Sequence, residues 1–411
     1  MKKNIIVLFF LGFTCGLPYM LIFTTLSAWL RDVGISLTII GFVSWAALMY
    51  SLKFLWSPII ENVDIPGLSK LGKRKSWIIF SQFMCLIGIA SISFFDPKTN
   101  LSIIALLAFY IAFFGSIQDI SVDAYRIELT GLQNQGDLAA SYQFGYRVSI
   151  LFATSLALIF AENFSWNLIY FLLSSLMLLG IFSTIFGNNP TTVTNRKKYF
   201  KTLLESFMDL LNRYGLISSA VILFIIASYR LTDIIVGPMA MPFYLDMGYS
   251  KIEIGSLVKT VALIMSVVGF FFGGFIIKIF EMRHSLILGG LLVLITNILF
   301  SITAISGKNI FLLATIVGLD SFAAGLVATV NITFLTSLVS REFTAVQYAL
   351  LTSMMMLPGK LLGGFSGFIA DFFIQFSDLK LGWCIFFIFT SALALPAMFT
   401  IYKSNKTFNK I

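Results

Sequence analysis

Ionisable residues of this chain stand inside long apolar runs, and nine of them are candidates for chemistry. The acids are Asp119, Asp123, Asp233 and Asp320; the bases are Lys53, Arg147, Arg230, Lys259 and Lys360. An unpaired charge in hydrocarbon costs about 2.5–3.5 kcal/mol by insertion scales, so such groups face a wet cavity or a partner and mark function by default. Asp119 and Asp123 lie one helical turn apart on one face, with Arg126 three residues further on. Desolvation favours a neutral carboxyl and a neighbouring cation favours the charged form. A pair poised between those effects can load and release a proton, and Asp233 and Asp320 are candidates for the same work. The alternative is a fixed charge cluster that braces the helix end. Lys53, Arg147, Lys259 and Lys360 suit an anionic ligand: the guanidinium can grip a carboxylate bidentately and the lysines act as point charges. Tyr142 and Tyr146, one turn apart beside Arg147, are placed to stack on a sugar ring. Here too a second reading stands, in which these bases pair with the acids across helices. Arg230 and Asp233, three residues apart, pair with each other on that reading.

The elements that must position these groups are set by composition. Of 411 residues, 58% are apolar and 11% charged, against about 25% charged in soluble domains. A soluble globule cannot hide that much apolar surface, and a disordered chain lacks it. A net charge of +9 does not point to nucleic acid, because the basic residues flank apolar runs in the pattern of a polytopic membrane protein. A spanning helix needs about 20 apolar residues, and twelve such runs fall near 5–30, 36–60, 77–95, 101–125, 138–161, 166–187, 215–244, 252–280, 285–305, 309–338, 345–375 and 381–402. The first begins after Lys2-Lys3 but continues to Trp29, too long for a cleaved signal, so it reads as a retained helix. The 44 phenylalanines suit lipid-facing surfaces. Cys15, Cys85 and Cys384 lie within apolar runs and read as small buried hydrophobes.

The widest gap divides the chain into an N-terminal six-helix bundle (1–187), a linker with a short amphipathic helix (188–213) and a C-terminal six-helix bundle (214–411). With the N-terminus inside, eighteen of the 28 Lys and Arg residues fall in cytoplasmic segments, five outside and five within spans. That bias places both termini in the cytoplasm. The halves repeat: Asp32-Val-Gly34-Ile-Ser36 followed by Ile40-Gly41 matches Asp246-Met-Gly248-Tyr-Ser250 followed by Ile254-Gly255, every pair 214 residues apart. Arg147 and Lys360 match at nearly the same offset. Parallel six-helix repeats are the plan of major facilitator carriers, whose substrate cavity lies between the halves near the midplane.

Other motifs weigh less. Gly67 to Lys73 fits the start of a phosphate-binding loop, but Arg74 stands where Ser or Thr is needed and no strand precedes it. The one histidine, His284, lacks a Cys or carboxylate arrangement for catalysis or metal, so neither an enzyme nor a cofactor or metal site is expected. Gly12-x-x-x-Gly16 reads as a close helix contact. The basic loop Lys70 to Lys75 is expected to hold the second and third helices together, or to meet anionic lipid.

Several runs resemble the AmpG muropeptide permease family of the major facilitator superfamily. These are Gln118-Asp119-Ile-Ser-Val-Asp123-Ala-Tyr-Arg126, Leu52-Lys53-Phe54-Leu55-Trp56-Ser57-Pro58, Gly145-Tyr146-Arg147, Tyr229-Arg230-Leu-Thr-Asp233 with Met241 to Gly248, and Phe343-Thr344-Ala-Val-Gln347-Tyr348-Ala349. The resemblance covers nearly the whole chain. It implies an all-α membrane protein with twelve transmembrane helices in the bacterial inner membrane. Its work would be alternating-access, proton-driven import of GlcNAc-1,6-anhydroMurNAc-peptides for cell-wall recycling, with a link to β-lactam resistance in some bacteria. By that resemblance Asp119 and Asp123 would couple protons, and the reading of the buried charges adds Arg126, Asp233 and Asp320 as candidates. Lys53, Tyr146, Arg147 and Lys360 would contact cargo by the same resemblance, with Gln118, Tyr142 and Lys259 as further candidates. The implied partners are an anionic glycopeptide, protons and membrane lipids, for a monomeric carrier. The loop from Glu61 to Gly67 and the short acid at Asp320 depart from the family pattern. Related acetyl-CoA carriers share part of the aspartate motif, so an acetyl-CoA-like or other anionic cargo, drug efflux and a flux-free sensor remain as alternatives.

Overall fold

A computed structural model describes residues 2–129, 135–189, 199–340 and 344–408. The expectations placed on Arg196, Lys197, Lys198, Arg341, Phe343 and Lys410 lie outside the described residues. All regular structure among the described residues is helical, as the bilayer demands of a chain that must satisfy each backbone polar group within its own segment.

Eleven helices among the described residues are long and apolar enough to span a membrane. In chain order they are the first (Lys2–Asp32), third (Lys73–Ile92), fourth (Pro97–Leu129), fifth (Ser141–Phe160), sixth (Trp166–Phe186), seventh (Leu216–Asp246), eighth (Lys251–Ile279), ninth (Met282–Ser306), tenth (Ile310–Leu338), eleventh (Leu350–Phe376) and twelfth (Leu379–Lys403) spans. The second is a shorter apolar helix, Leu37–Ser51. The sequence predicts a continuous run to residue 60 there. Instead the helix breaks: Leu52 (φ −89°, ψ 3°) and Trp56 (φ −103°, ψ −6°) leave helical geometry around a 3₁₀ turn at Lys53–Leu55, and Ser57–Asn62 resumes. Pro58 has no N–H to offer the Phe54 carbonyl, which would be its partner four residues back. The Ser57 hydroxyl donates to that carbonyl instead, at 3.1 Å.

The chain divides into two compact units, Met1–Ile35 with Val43–Arg196, and Ser36–Phe42 with Lys197–Ile411. Within the first, the first and fifth spans touch backbone to backbone. A Cβ on Gly12 would lie 2.0 Å from the Tyr142 carbonyl oxygen, and one on Gly145 would lie 1.9 Å from that of Phe9. Within the second, the eighth and tenth spans do the same through Gly269, facing the Phe322 carbonyl at 2.1 Å, and Gly325, facing that of Ser266 at 2.2 Å. Small residues at such contacts are how membrane helices gain van der Waals packing when lipid removes the hydrophobic drive between them. Large apolar side chains cover the outside instead. Phe94, Phe271, Phe311 and Phe376 are 75–79% exposed, a surface suited to acyl chains.

Candidate functional site

In the first unit the candidate residues gather along three helices. Asp119 and Asp123 sit half-buried on the fourth span, well beyond its kink at Asn100 (φ −124°, ψ 33°). Asp123 pairs with Arg126 at 3.6 Å, one turn toward the helix end. Gln118 is fully buried. Its amide donates to Thr14 Oγ1 at 3.2 Å and to Cys15 Sγ at 3.5 Å, and Gln82 of the third span donates to the same hydroxyl. This polar knot fixes the fourth span against the first, and so fixes the register of Asp119. Tyr142 (buried) and Tyr146 (half-buried) tilt at 40° with ring centroids 6.5 Å apart. The Gly12 contact sets Tyr142, and Gly16, whose Cβ would meet the Tyr146 ring at 3.2 Å, sets Tyr146. Arg147 follows, half-buried. Lys53 stands at the break of the second span, half-buried in the 3₁₀ turn.

The second unit positions its candidates through irregular backbone. Arg230 occupies a break in the seventh span (φ −110°, ψ 12°), and a 3₁₀ turn at Gly237–Met239 follows. Arg230 Nε lies 3.7 Å from Asp233 Oδ2, the mutual pairing that the spacing suggests. Asp320, on the tenth span, accepts from the Thr296 hydroxyl at 3.0 Å. Lys259 is half-buried immediately after a π-helical stretch, Ile254–Val258, a distortion frequent at functional sites. Lys360 is half-buried next to Gly359, where a Cβ would come within 2.7 Å of Ile234.

Some structural side chains leave little trace in the sequence. Arg74 is buried with Glu128: Nη2 donates at 2.7 Å and Nε at 3.1 Å to each oxygen. Lys75 donates to the carbonyls of Gly187 (2.6 Å) and Ile185 (3.2 Å) at the end of the sixth span. The basic loop therefore reaches the fourth and sixth helices, while its Lys73, 3.6 Å from Asp64, pairs with the loop before it. In the repeat motif Asp32 accepts from Trp166 Nε1 at 2.7 Å, and Asp246 from Trp383 Nε1 at 3.0 Å. The 217 residues between the two tryptophans are the one signal that could have revealed them.

Comparison with known proteins bears on this arrangement. The family model described as Major Facilitator Superfamily matches residues 8–364. A protein of Rickettsia felis named "Putative transporter AmpG 4" is 31% identical over 410 residues, covering 98% of this chain and 96% of its own length. "Putative transporter AmpG 1" of Rickettsia bellii is 31% identical, covering 98% of each. Among solved structures, a bacterial homolog of the human lysosomal transporter Spinster, inward-facing and unoccupied, superposes with a TM-score of 0.76 at 12% identity, covering 100% of this chain and 98% of that one. That last likeness is one of fold.

Proposed function

Because the chain belongs to the major facilitator superfamily, as a multi-pass membrane transporter and not an enzyme, we propose that it imports anhydromuropeptides with protons across the bacterial inner membrane, both termini in the cytoplasm. The observation that carries the cargo is the near-full-length similarity to proteins named AmpG transporters. The chemistry agrees. Cargo of this class carries peptide carboxylates and sugar rings, and the half-buried Lys53, Arg147, Lys259 and Lys360 with Tyr142 and Tyr146 offer cations and aromatic faces. Asp119 and Asp123 carry the proton, with Arg126 opposing Asp123, and Asp233 and Asp320 contribute from the other unit. Gln118 acts from beneath, holding Asp119 in register. A proton crossing about 120 mV releases about 2.8 kcal/mol, enough for roughly hundredfold accumulation. Alternating access of a monomer supplies the route.

The test is uptake of labelled GlcNAc-1,6-anhydroMurNAc-peptide into vesicles with and without an imposed proton gradient. Accumulation that collapses with an uncoupler, and that unlabelled muropeptide but not acetyl-CoA inhibits, is expected. Inhibition by acetyl-CoA alone would assign a different anionic cargo, and binding without entry would make the protein a sensor.

A further inference from the structure

Between the ninth and twelfth spans, on the outside of the second unit, runs an open apolar groove of about 780 Å³. The ninth span lines it with Ile287 and Leu291, and the twelfth with Ala392, Pro396, Phe399 and Tyr402 among others. Arg283, Ile287 and Leu291 stand four residues apart, so one stripe of the ninth span runs from a cation at its end into the groove. The twelfth span is interrupted at Leu393–Ala394. Pro396 has no N–H to offer the Ala392 carbonyl, and both residues line the groove at that break. Phe399 and Tyr402 are 59% and 67% exposed, so no described part of the chain packs over them. From Ala392 to Tyr402 the helix rises about 15 Å at 1.5 Å per residue, half the thickness of the hydrocarbon core. The groove is therefore as long as one leaflet is deep.

At the span ends the chemistry changes. Lys403 Nζ lies 4.3 Å from the centroid of the Phe399 ring, and the Arg283 guanidinium lies 5.7 Å from that of Tyr402. Two of the groove's own aromatic rings thus carry cations. Arg283 donates to neutral oxygens: the carbonyls of Ile401 and Tyr402, and Asn405 Oδ1. Exposed Lys406 follows in the short helix Asn405–Phe408. Glu281, the acid beside Arg283 in sequence, stands 3.6 Å from His284 Nδ1 instead. The groove therefore ends under cations whose charge the neighbouring side chains leave largely unanswered. An apolar slot of one leaflet's depth takes an acyl chain, and basic side chains at its mouth take an anionic headgroup. A free anion would leave the slot empty, and a neutral lipid would leave the cations unmatched.

We infer that this groove holds one anionic phospholipid, with an acyl chain along Ile287, Leu291, Ala392 and Phe399 and the phosphate at Arg283 and Lys403. The site lies wholly within the second unit and shares no residue with the coupling or cargo candidates. Its placement in the cytoplasmic leaflet rests on the orientation proposed above; the charge of the lipid does not.

The experiment is native mass spectrometry of the full-length protein in detergent, titrated with dioleoyl phosphatidylglycerol or with dioleoyl phosphatidylethanolamine. Wild type is expected to retain one phosphatidylglycerol at several-fold lower concentration than phosphatidylethanolamine. A cation near the membrane surface contributes about fivefold in affinity for anionic lipid. Lys403→Gln is therefore expected to weaken the first phosphatidylglycerol about fivefold, and Lys403→Arg to restore it. Ala392→Phe, at an exposed position, fills the slot and is expected to remove the first-bound lipid while later, weaker ones remain. Lys70→Gln, at an exposed cation of the basic loop in the other unit, is expected to change nothing. Equal retention of the two lipids by wild type overturns the site, and so does first binding unchanged in both Lys403→Gln and Ala392→Phe. Loss of the first lipid in Lys70→Gln alone would move the site to the basic loop. A dimer of wild type that Ala392→Phe abolishes would make the groove a face between two copies, and would overturn the lipid. The readout involves no muropeptide, so failure of the cargo reading and failure of the lipid site remain distinguishable.

Discussion

The two halves agree where a turn must be made and differ where charge is handled. Each opens with a helix ending at an aspartate that accepts from a tryptophan indole, followed by a glycine at positive φ, +87° at Gly34 and +80° at Gly248, which only glycine adopts cheaply. The aromatic cluster beneath is also repeated: Trp29 with Trp166 and Tyr170, and Phe243 with Trp383 and Phe387. Even the helix-end caps correspond. Lys75 donates to carbonyls at the end of the sixth span, and Arg283 to those of Ile401 and Tyr402 at the end of the twelfth. Charge in the interior follows no such rule. The first unit buries an Arg74–Glu128 pair. In the second, the tenth-span end is held from the linker helix (Tyr199–Tyr214), whose Arg213 donates to the Leu338 carbonyl at 2.8 Å and pairs with Asp209 at 2.9 Å. A duplicated scaffold keeps the contacts that shape it and is free to diverge at those that do chemistry.

The sharpest way to break that comparison is to neutralise one acid in each half. Asp119→Asn is expected to abolish uphill import, from roughly hundredfold accumulation to equilibration, while counterflow exchange of labelled for unlabelled cargo persists. Asp320→Asn, in the half that contributes to coupling, is expected to lower accumulation without abolishing it. Normal accumulation by Asp119→Asn in vesicle uptake would move the coupling acid out of the first half.

Removing Glu128 tests the asymmetry in stability. Glu128→Ala takes from buried Arg74 its bidentate carboxylate, a loss of about 3–5 kcal/mol for such pairs. Arg213→Ala, at a half-exposed network in the other half, is expected to lose about 1 kcal/mol or less. Equal losses in detergent unfolding would show that the two helix ends are held alike.

These pairs also show what the sequence could and could not disclose. Apolar runs of about 20 residues report spans because the bilayer sets their length, and the 214-residue repeat reports the duplicated turn. The Arg230–Asp233 pair was legible because both residues lie on one span three apart. Arg74 and Glu128 are 54 residues apart on separate helices, and a tertiary contact of that kind leaves no local pattern. Nor does the break at Leu52–Trp56, where Lys53 is the one polar residue and only Pro58 beyond it hints at a stop. Gln118 carried the motif's opening letter, yet burial against Thr14 and Cys15 could be seen only once the first and fourth spans were packed.

Close packing gives a smaller test. Gly12→Ala forces a Cβ onto the Tyr142 carbonyl in the first half, where backbone must shift, and is expected to cost about 1–3 kcal/mol. Gly274→Ala in the second half meets nothing within 4 Å and is expected to be neutral or to stabilise its helix by up to about 1 kcal/mol. A comparable loss at both would mean that helix approach in the first half does not depend on the missing side chain.

The finest distinction lies within the repeated motif itself. Ser250 caps the eighth span: its hydroxyl accepts from the Glu253 N–H at 3.2 Å, and the Glu253 carboxylate accepts from the Ser250 N–H at 2.7 Å. Lys308 adds a 2.9 Å ion pair to the same carboxylate. Ser36 stands at the matching position of the second span, but three residues on is Ile39, which cannot complete the box. There the cap is supplied by Asp371, within the same compact unit as Ser36–Phe42, whose Oδ2 accepts from the Thr38 N–H at 2.8 Å and its hydroxyl at 2.6 Å. Ser250→Ala is therefore expected to cost about 1 kcal/mol, Ser36→Ala close to nothing, and Asp371→Ala about as much as Ser250→Ala. Unfolding of the three variants side by side decides it: a Ser36→Ala loss equal to that of Ser250→Ala would show that the repeat preserves the serine for its own cap rather than as a relic of duplication.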